Sequence, residues 1–226
     1  MSESPSVVVH HLEWSRSIRV VWLLEELDVP YQLRSYARDP KTSLAPKALR
    51  AVHPLGKAPV VEDEGRVYAE SGAILEHLAE RYGPTDLVPP SQTPEREACR
   101  YWLHYAEGSL MPLLLVKIVF QKLKEPPVPL PLRPLTATLG KVFDRQYLDE
   151  QLERHASYID EHLADRRWFA GEQLTLGDIQ MSFPLQAGSE RSEILGKKPN
   201  IADYVRAVHD RPAYRRALQR LRGGTA

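Results

Sequence analysis

Cysteine is almost absent from the 226-residue chain, which contains only Cys99. A disulfide or a Cys-x-x-Cys redox pair needs two cysteines, so neither can form within the chain. An excess of one charge is also absent, because 30 lysine and arginine residues balance 30 aspartate and glutamate residues. Proteins whose main partner is a nucleic acid or an anionic membrane surface carry a basic excess. We therefore expect neither kind of partner.

Long hydrophobic runs are missing as well. The longest, residues 110–120, is shorter than a membrane span and contains Pro112 and Lys117. The first six residues, Met-Ser-Glu-Ser-Pro-Ser, have no basic segment before an apolar one, so we expect no signal peptide. Together with the single cysteine, these absences predict a cytoplasmic protein without a membrane helix.

The eight histidines do not follow a metal-binding pattern. His10 and His11 are neighbours in a predicted strand, where successive side chains point to opposite faces. His155 and His162 have no clustered partners at the spacing of metal ligands. We expect no metal site.

The first third of the chain alternates between strand and helix patterns. The β-branched residues 7–9 begin a strand, and a helix that can start at Ser15, Arg16 or Ser17 is stopped by Pro30. Further strands are predicted at residues 31–36, 60–62 and 66–69, and further helices at residues 46–51 and from residue 70 onward. The predicted order is βαβαββα.

The clearest local signal is a hairpin. Asp63-Glu64-Gly65 separates two short strand patterns with the acidic and glycine residues of a tight turn. Pro59 stands at the first residue of this hairpin. A cis Ala58–Pro59 bond would turn the Ala58 backbone outward and leave its N–H and C=O free to pair with an extended peptide. Most X-Pro bonds are trans, so both isomers remain open here.

Ser71 opens the helix that follows the hairpin. A hydroxyl and free N–H groups at a helix N-terminus form a site for a carboxylate. The alternative, which the residue alone favours, is that Ser71 caps its own helix.

Beyond residue 93 only helical patterns appear. Thr93 and Pro94 form a typical helix start, and this helix should run toward residue 123 with bends at Gly108 and Pro112. Five prolines predict an irregular or polyproline-like loop over residues 124–135. Helices are predicted at residues 143–163, 199–208 and 212–221.

Thr175 and Asp178 form a capping-box pattern at the start of a further helix. Leu174 and Ile179 supply the hydrophobic staple that often accompanies such a box. The pattern is common and structural, so we expect Asp178 to hold the fold together and not to act in catalysis.

The motifs His-Pro-Leu-Gly-Lys-Ala-Pro-Val-Val at residues 53–61 and Glu-Ser-Gly-Ala-Ile at residues 70–74 flank the hairpin. This arrangement resembles the glutathione-binding half of cytosolic glutathione transferases of the bacterial and fungal type, and the capping box extends the resemblance downstream. The resemblance implies a thioredoxin-like α/β domain over residues 1–82, a linker over residues 83–92 and an all-helical domain over residues 93–226. It also implies a homodimer.

The resemblance implies a glutathione site made of His53, Lys57, Ala58, Pro59, Glu70 and Ser71. Lys57 would bind the glycine carboxylate, the Ala58 backbone the cysteinyl part, and Glu70 with Ser71 the γ-glutamyl end. His53 stands where the family often has an asparagine, and its contact with the glycine end is left open. The two carboxylates and one ammonium group of glutathione suit these charges.

Ser15 lies where the family keeps the tyrosine, serine or cysteine that activates the thiol. In serine-type members this serine usually precedes the helix arginine by about five residues, but counting back from Arg19 leads to Trp14. Three alternatives therefore remain beside Ser15 as donor. In the first, Ser15 is only an N-cap. In the second, Ser17 is the donor, and in the third, Arg16 stabilises the thiolate by its charge.

The electrophile pocket should lie between the first helix and the helix that begins at Thr93. Trp14, Tyr105 and Ser109 are the expected lining residues, although Trp and Tyr at helical spacing are also typical of a core. The predicted activity is conjugation of the glutathione thiolate to small hydrophobic electrophiles. The alternatives are a glutathione-dependent peroxidase, isomerase or dehalogenase, or a non-catalytic glutathione-binding, ligand-binding or protein-interaction module.

Overall fold

A four-stranded mixed sheet organises the first part of the molecule. The structure, a computed structural model, describes residues 6–40, 42–83, 86–123, 125–126 and 128–223. The strands are β1 (Val7–Leu12), β2 (Tyr31–Tyr36), β3 (Val60–Asp63) and β4 (Arg66–Ala69), in the spatial order β2-β1-β3-β4. β1 pairs parallel with β2 and antiparallel with β3, and β3 pairs antiparallel with β4.

Three helices complete this domain: α1 (Ser17–Glu26), α2 (Lys47–Val52) and α3 (Ser71–Tyr82). The element order confirms the predicted βαβαββα arrangement of a thioredoxin-like domain. In α1, every residue from Ser17 to Leu24 is buried. A helix that is buried on all sides must be covered by more than one layer. α1 contacts β1 and α3 in its own domain, and it contacts α8 (Leu176–Arg191) and α11 (Pro212–Gly223) in the helical part of the chain.

The elements of the second part of the chain are helices, apart from an isolated bridge between Trp168 and Gly171 among the described residues. A π-helical turn, Ala106–Leu110, joins the first two long helices, and another, Asp144–Leu148, joins the third and fourth. A short 3₁₀ turn, Leu130–Leu132, precedes the third. The helices are α4 (Pro94–Tyr105), α5 (Met111–Lys122), α6 (Arg133–Phe143), α7 (Asp149–Leu163), α8 (Leu176–Arg191), α9 (Glu193–Gly196), α10 (Pro199–Asp210) and α11 (Pro212–Gly223).

The predicted start of α4 is confirmed. The Thr93 side chain accepts a hydrogen bond of 3.2 Å from the N–H of Arg96, and Pro94 occupies the first turn. The disturbance expected at Gly108 is the π-helical turn, and Pro112 follows this turn directly as the second residue of α5.

The proline-rich segment is less irregular than expected. The prediction of a loop through residue 135 was wrong, because the 3₁₀ turn begins at Leu130 and α6 begins at Arg133. Pro134 lies in the first turn of α6, where a helix tolerates proline. Lys124 and Pro127 lie outside the described residues.

The helix Pro94–Lys122 contains 29 residues and has an 18-residue window with a mean hydropathy of 1.3. By length and composition alone, this helix could cross a membrane. The apolar run over residues 110–120 had been too short to predict such a helix. These two properties are weak evidence, because the core helix of a globular domain has them too. Trp102, Leu110 and Leu114 of this helix are buried in the hydrophobic core.

The capping box at the start of α8 is present as predicted. The Asp178 carboxylate is fully buried and accepts hydrogen bonds from the N–H groups of Thr175 at 2.8 Å and Phe169 at 2.7 Å. Tyr204 donates to the Asp178 carbonyl at 2.7 Å, which ties α10 to α8. Leu174 and Ile179 are both buried in the core beside this box.

Candidate active site

A cleft of about 960 Å³ lies between the two domains. The sheet domain contributes the end of β1, the loop into α1, and residues around α2. The helical domain contributes one side of α5 and the C-terminal parts of α8 and α11. The elements that follow β1 and precede β3 therefore face an apolar helical wall.

The loop after β1 brings two of the predicted site residues to the cleft. Trp14 has a φ of +54° and its side chain is 86% exposed. Arg38 holds this loop by donating from Nε to the Glu13 carbonyl at 2.9 Å. Trp14 and Ser15 both line the cleft. Trp14 lies at its open edge, and Ser15 lies beside the start of α1.

Ser15 is the outer member of a hydrogen-bonded chain of side chains. Its hydroxyl is hydrogen-bonded to the hydroxyl of Ser17 and also accepts from the backbone N–H of Ser17 at 3.3 Å. The Ser17 hydroxyl lies 3.0 Å from Nδ1 of His11. Burial lowers the pKa of His11, so its imidazole is neutral at neutral pH. Ser15 is half-buried, whereas Ser17 is fully buried and does not line the cleft.

Arg16 also lines the cleft, but its charge is shared with a carboxylate. Arg16 Nε and Arg19 Nη1 both donate to Oε1 of Glu107 in the helical domain, at 3.0 and 2.6 Å. Burial lowers the pKa of Arg19 to about 10, so this guanidinium remains charged at neutral pH. Stabilisation of a thiolate by Arg16 would therefore have to compete with Glu107.

Lys57 and Ala58, in the segment that precedes β3, also line the cleft on its sheet-domain side. Lys57 is exposed, and within the described part of the chain it forms no ion pair. The Ala58–Pro59 bond is cis, one of the two isomers that the sequence left open. Among the described residues, none forms a backbone hydrogen bond with Ala58 outside the strand ladders. Pro59 is buried behind Ala58 at the start of β3.

Ser71 does not cap its own helix, so the interpretation that its residue type favoured was wrong. The N-cap position of α3 belongs to Glu70, and Ser71 is already the first helical residue. The buried Ser71 hydroxyl instead accepts from Arg19 Nη1 at 3.2 Å and from Gln180 Nε2 at 3.1 Å. Glu70 is exposed and has a φ of +71°, an unusual backbone conformation for a residue with a side chain.

Seven of the predicted site residues do not line the cleft: Ser17, His53, Pro59, Glu70, Ser71, Tyr105 and Ser109. His53 is half-buried at the end of α2, where its carbonyl accepts from the N–H of Gly56 at 2.9 Å. Tyr105 is buried against Trp102, and its hydroxyl is hydrogen-bonded to His155. Ser109 is half-buried in the π-helical turn and does not line the cleft either.

The apolar wall that faces Ser15 comes from residues that the sequence did not single out. Met111, Leu114 and Ile118 lie along one face of α5, and Phe183 of α8 and Leu218 of α11 extend the wall. For Met111, Leu114 and Ile118 the only sequence signal was the apolar run over residues 110–120, whose helical spacing could equally belong to a core.

Comparison with known proteins decides which family this cleft belongs to. The family profile "Glutathione S-transferase, N-terminal domain" matches residues 9–86, and "Glutathione S-transferase, C-terminal domain" matches residues 132–212. Glutathione S-transferase 3 of Schizosaccharomyces pombe is 40% identical over 221 residues, which are 97% of this chain and 89% of that protein. The chain belongs to the glutathione S-transferase family.

Solved structures of glutathione transferases share the fold of this family member. A glutathione S-transferase from Actinobacillus pleuropneumoniae has a TM-score of 0.80 and 34% sequence identity, covering 96% of this chain and 94% of that one. A glutathione transferase family member from Pseudomonas fluorescens, whose crystal structure holds two glutathione molecules, has a TM-score of 0.71 and 21% identity, covering 96% and 94%. The second likeness concerns the fold alone.

The sheet-domain side of this glutathione S-transferase cleft is cationic. Arg38 and Arg50 donate to the uncharged backbone carbonyls of Glu13 at 2.9 Å and Ala45 at 3.2 Å, and Lys57 lies beside them in the lining. A cleft lined by cations attracts anions. The sequence did not indicate Arg38 or Arg50. Within the described part of the chain, no three His, Cys, Asp or Glu side chains are grouped so that they could hold a metal ion.

Proposed function

We propose that the chain is a glutathione transferase that joins the thiolate of glutathione to small hydrophobic electrophiles. The observation that carries this proposal is the position of the Ser15 hydroxyl. It lines the cleft between cationic side chains of the sheet domain and apolar side chains of the helical domain, is hydrogen-bonded to the Ser17 hydroxyl, and accepts from the Ser17 N–H. Family membership and the glutathione found in the Pseudomonas fluorescens relative support glutathione as the co-substrate.

Glutathione would lie along the sheet-domain lip. Lys57 would bind its glycine carboxylate, and the backbone of Ala58, which lines the cleft, would pair with its cysteinyl part. The γ-glutamyl end would lie at Glu70 and the N-terminus of α3, where free N–H groups favour a carboxylate. Ser71 would act there through its backbone, because its hydroxyl already binds Arg19 and Gln180.

Ser15 would donate a hydrogen bond to the sulfur and stabilise its anionic form. A free thiol has a pKa of about 8.5, and lowering this by about two units requires roughly 2.7 kcal/mol. A hydrogen bond to a charged group contributes about 1.5–3 kcal/mol, so one hydroxyl can supply most of this stabilisation. The thiolate would then attack the electrophilic carbon. A carbon–sulfur bond forms, and in an aryl halide the halide leaves with the bonding electron pair.

The electrophile would occupy the apolar wall. Met111, Leu114 and Ile118 of α5 lie across the cleft from Ser15, with Phe183 beside them. These apolar side chains would bind a small hydrophobic molecule, with polar lining residues such as Lys117, Gln121 and Gln186 beside them. Holding such a molecule beside the thiolate turns a bimolecular reaction into one between bound partners, which lowers the barrier. Trp14 at the mouth would cover the bound electrophile.

Conjugation of glutathione to a nitro-activated aryl chloride tests this proposal. We expect turnover by the natural sequence and a loss of about 10- to 100-fold in kcat/KM in Ser15→Ala, the loss of one hydrogen bond to a charged group. Ser91→Ala, which changes an exposed serine between the domains, is the matched control and should keep full activity. Turnover of hydroperoxides but not of the aryl chloride would contradict the proposal in favour of a peroxidase. Retention on immobilised glutathione without any turnover would contradict it in favour of a binding module.

The oligomeric state and location form part of the same proposal. The family resemblance implies a homodimer in the cytoplasm. Light scattering of the purified chain would give twice the 25.7 kDa mass of one chain if the homodimer forms.

A further inference from the structure

Three side chains form a hydrogen-bonded line from the end of β1 to the cleft. His11 Nδ1 lies 3.0 Å from the Ser17 hydroxyl, which is in turn hydrogen-bonded to the Ser15 hydroxyl at the cleft. Ser17 is fully buried and His11 is 6% exposed, so bulk water does not compete for these bonds. Ser17 does not line the cleft; His11 does, but its hydrogen bond reaches Ser15 only through Ser17.

The number of protons in this line decides what Ser15 can offer a ligand. Each hydroxyl carries one proton, and a neutral imidazole carries a proton on only one of its nitrogens. If Nδ1 of His11 is bare, Ser17 must donate to it and Ser15 must donate to Ser17. Ser15 then has no proton for the cleft. If Nδ1 carries the proton, His11 donates to Ser17, Ser17 donates to Ser15, and the Ser15 proton is free.

A thiolate favours the second arrangement because it can only accept a hydrogen bond, and the backbone bond to Ser15 is compatible with that arrangement. Ser15 Oγ already accepts from the Ser17 N–H at 3.3 Å. When the Ser17 hydroxyl also donates to it, both acceptor positions of Ser15 Oγ are filled and only its proton can point toward the cleft. Hydrogen bonds that run in one direction also strengthen one another.

We propose that His11 and Ser17 are positioning residues that, through the Nδ1–H tautomer of His11, make Ser15 a hydrogen-bond donor to the glutathione sulfur. This inference rests on the proposed function, because it assumes that Ser15 faces a bound thiolate. It adds two residues that do not contact the sulfur themselves but direct the proton of the residue that does.

The adjacent histidine supplies an internal comparison. Nε2 of His10 lies 2.7 Å from the Glu62 carboxylate, which can only accept, so Nε2 carries the proton. Nδ1 of His10 then accepts from the Tyr36 hydroxyl at 2.8 Å. Burial lowers the pKa values of both His10 and His11, so both are neutral near pH 7. Two neighbouring neutral histidines should therefore show opposite tautomers in the glutathione complex.

Nitrogen-15 NMR of the histidine-labelled glutathione complex tests the tautomers directly. The signals of His11 are assigned by their disappearance in His11→Asn, and those of His10 serve as the Nε2–H reference. We expect the Nδ1–H tautomer for His11 when bound glutathione is ionised. A His11 that keeps its proton on Nε2 in that complex overturns the inference, because Ser15 would then have no proton to donate.

The pKa of the bound thiol, followed by the ultraviolet absorbance of the thiolate, provides a second readout. Ser17→Ala and His11→Leu should raise this pKa by about one unit. His11→Asn should leave it near the natural value, because a side-chain amide can donate from the position of Nδ1. Thermal unfolding identifies a variant that does not fold. The NMR measurement reads the tautomer in the natural sequence and uses His11→Asn only to assign the signals.

The outcomes separate this inference from the proposed function. A lowered thiol pKa in the natural sequence that Ser17→Ala and His11→Leu leave unchanged overturns the roles of His11 and Ser17 while Ser15 keeps its own. A bound thiol with the pKa of free glutathione overturns both. A lowered pKa that rises in Ser17→Ala and His11→Leu but not in His11→Asn supports both.

Discussion

Arg19, fully buried in α1, donates a hydrogen bond of 2.6 Å to Glu107 of the helical domain. The same Glu107 oxygen accepts from Arg16 at 3.0 Å, so one carboxylate joins the start of α1 to the opposite side of the interdomain seam. Arg19 also donates to Ser71 at the start of α3. The loop that carries Ser15 and the helix terminus expected to bind glutathione are therefore held by the same buried guanidinium.

Glu107→Gln should lower the free energy of unfolding by about 3 kcal/mol. Removing one partner of a buried ion pair leaves the other charge buried without compensation, which costs about 3–5 kcal/mol, and the lower value applies because Glu107 is one-third exposed. Urea unfolding measures the change. Glu193→Gln, which breaks an exposed pair with Lys197, is the control and should change the value by less than about 0.5 kcal/mol. Equal effects of the two variants would show that Arg19 does not depend on Glu107.

Lys57→Ala should raise the KM for glutathione with a smaller change in kcat. Lys57 is exposed on the lip of the cleft and would neutralise a carboxylate that takes no part in the reaction. An interaction equally strong in the ground state and the transition state changes KM alone. Steady-state kinetics with varied glutathione measures both constants. Lys47→Ala, an exposed lysine at the start of α2, should behave like the natural sequence. An unchanged KM in Lys57→Ala would remove Lys57 from the site.

Glu70 allows its backbone and its carboxylate to be tested separately. Its φ of +71° is a conformation that glycine adopts at little cost and that other residues adopt at a cost of roughly 1–3 kcal/mol. Glu70→Gly should therefore unfold at a urea concentration no lower than the natural sequence, although its KM for glutathione rises. Glu70→Gln keeps the strain and should show only the rise in KM. If Glu70→Gly is less stable and binds glutathione normally, Glu70 has a structural role and no binding role.

The stability of the fold should decrease as the pH falls below about 6.5. Burial lowers the pKa of four histidines in the folded state, namely His10, His11, His155 and His162. As the pH falls, these histidines bind protons in the unfolded chain first, so acid favours the unfolded chain. Asp178 opposes this trend, because burial raises its pKa to about 6 and the folded chain then binds its proton first.

Urea unfolding at pH 7.5 and pH 6 measures this balance. We expect a lower unfolding free energy at the lower pH, and a smaller difference in His155→Gln, which removes one of the four groups. Stability that increases between pH 7.5 and pH 6 would mean that Asp178 outweighs the histidines.

The sequence predicted those features that depend on local chemistry. The hairpin after Pro59, the capped start of α4 at Thr93 and the capping box at Thr175 each need only a few neighbouring residues, and the structure has all three. Prolines misled the prediction of α6. They exclude a helix interior but not a first turn, and Pro134 lies in a first turn.

The residues that line the cleft could not be predicted from sequence patterns, because their positions depend on how the elements pack. Tyr105 and Met111 belong to one continuous helix, but the π-helical turn between them adds residues to that turn and changes which face follows. Tyr105 consequently lies in the aromatic core and Met111 in the cleft. Arg38 follows β2 and Arg50 lies in α2, and only the folded chain brings the two side chains to one cleft. The role of His11 likewise depends on its distance from Ser17, which no sequence pattern expresses.

A pH titration of glutathione bound to the natural sequence and to Ser15→Ala tests the central claim most directly. The absorbance of the thiolate reports the pKa of the bound thiol. We expect a pKa about two units below the free value of about 8.5 in the natural sequence, and a return toward the free value in Ser15→Ala. Glutathione that binds to the natural sequence with its free pKa unchanged would contradict the claim that this cleft activates a thiol.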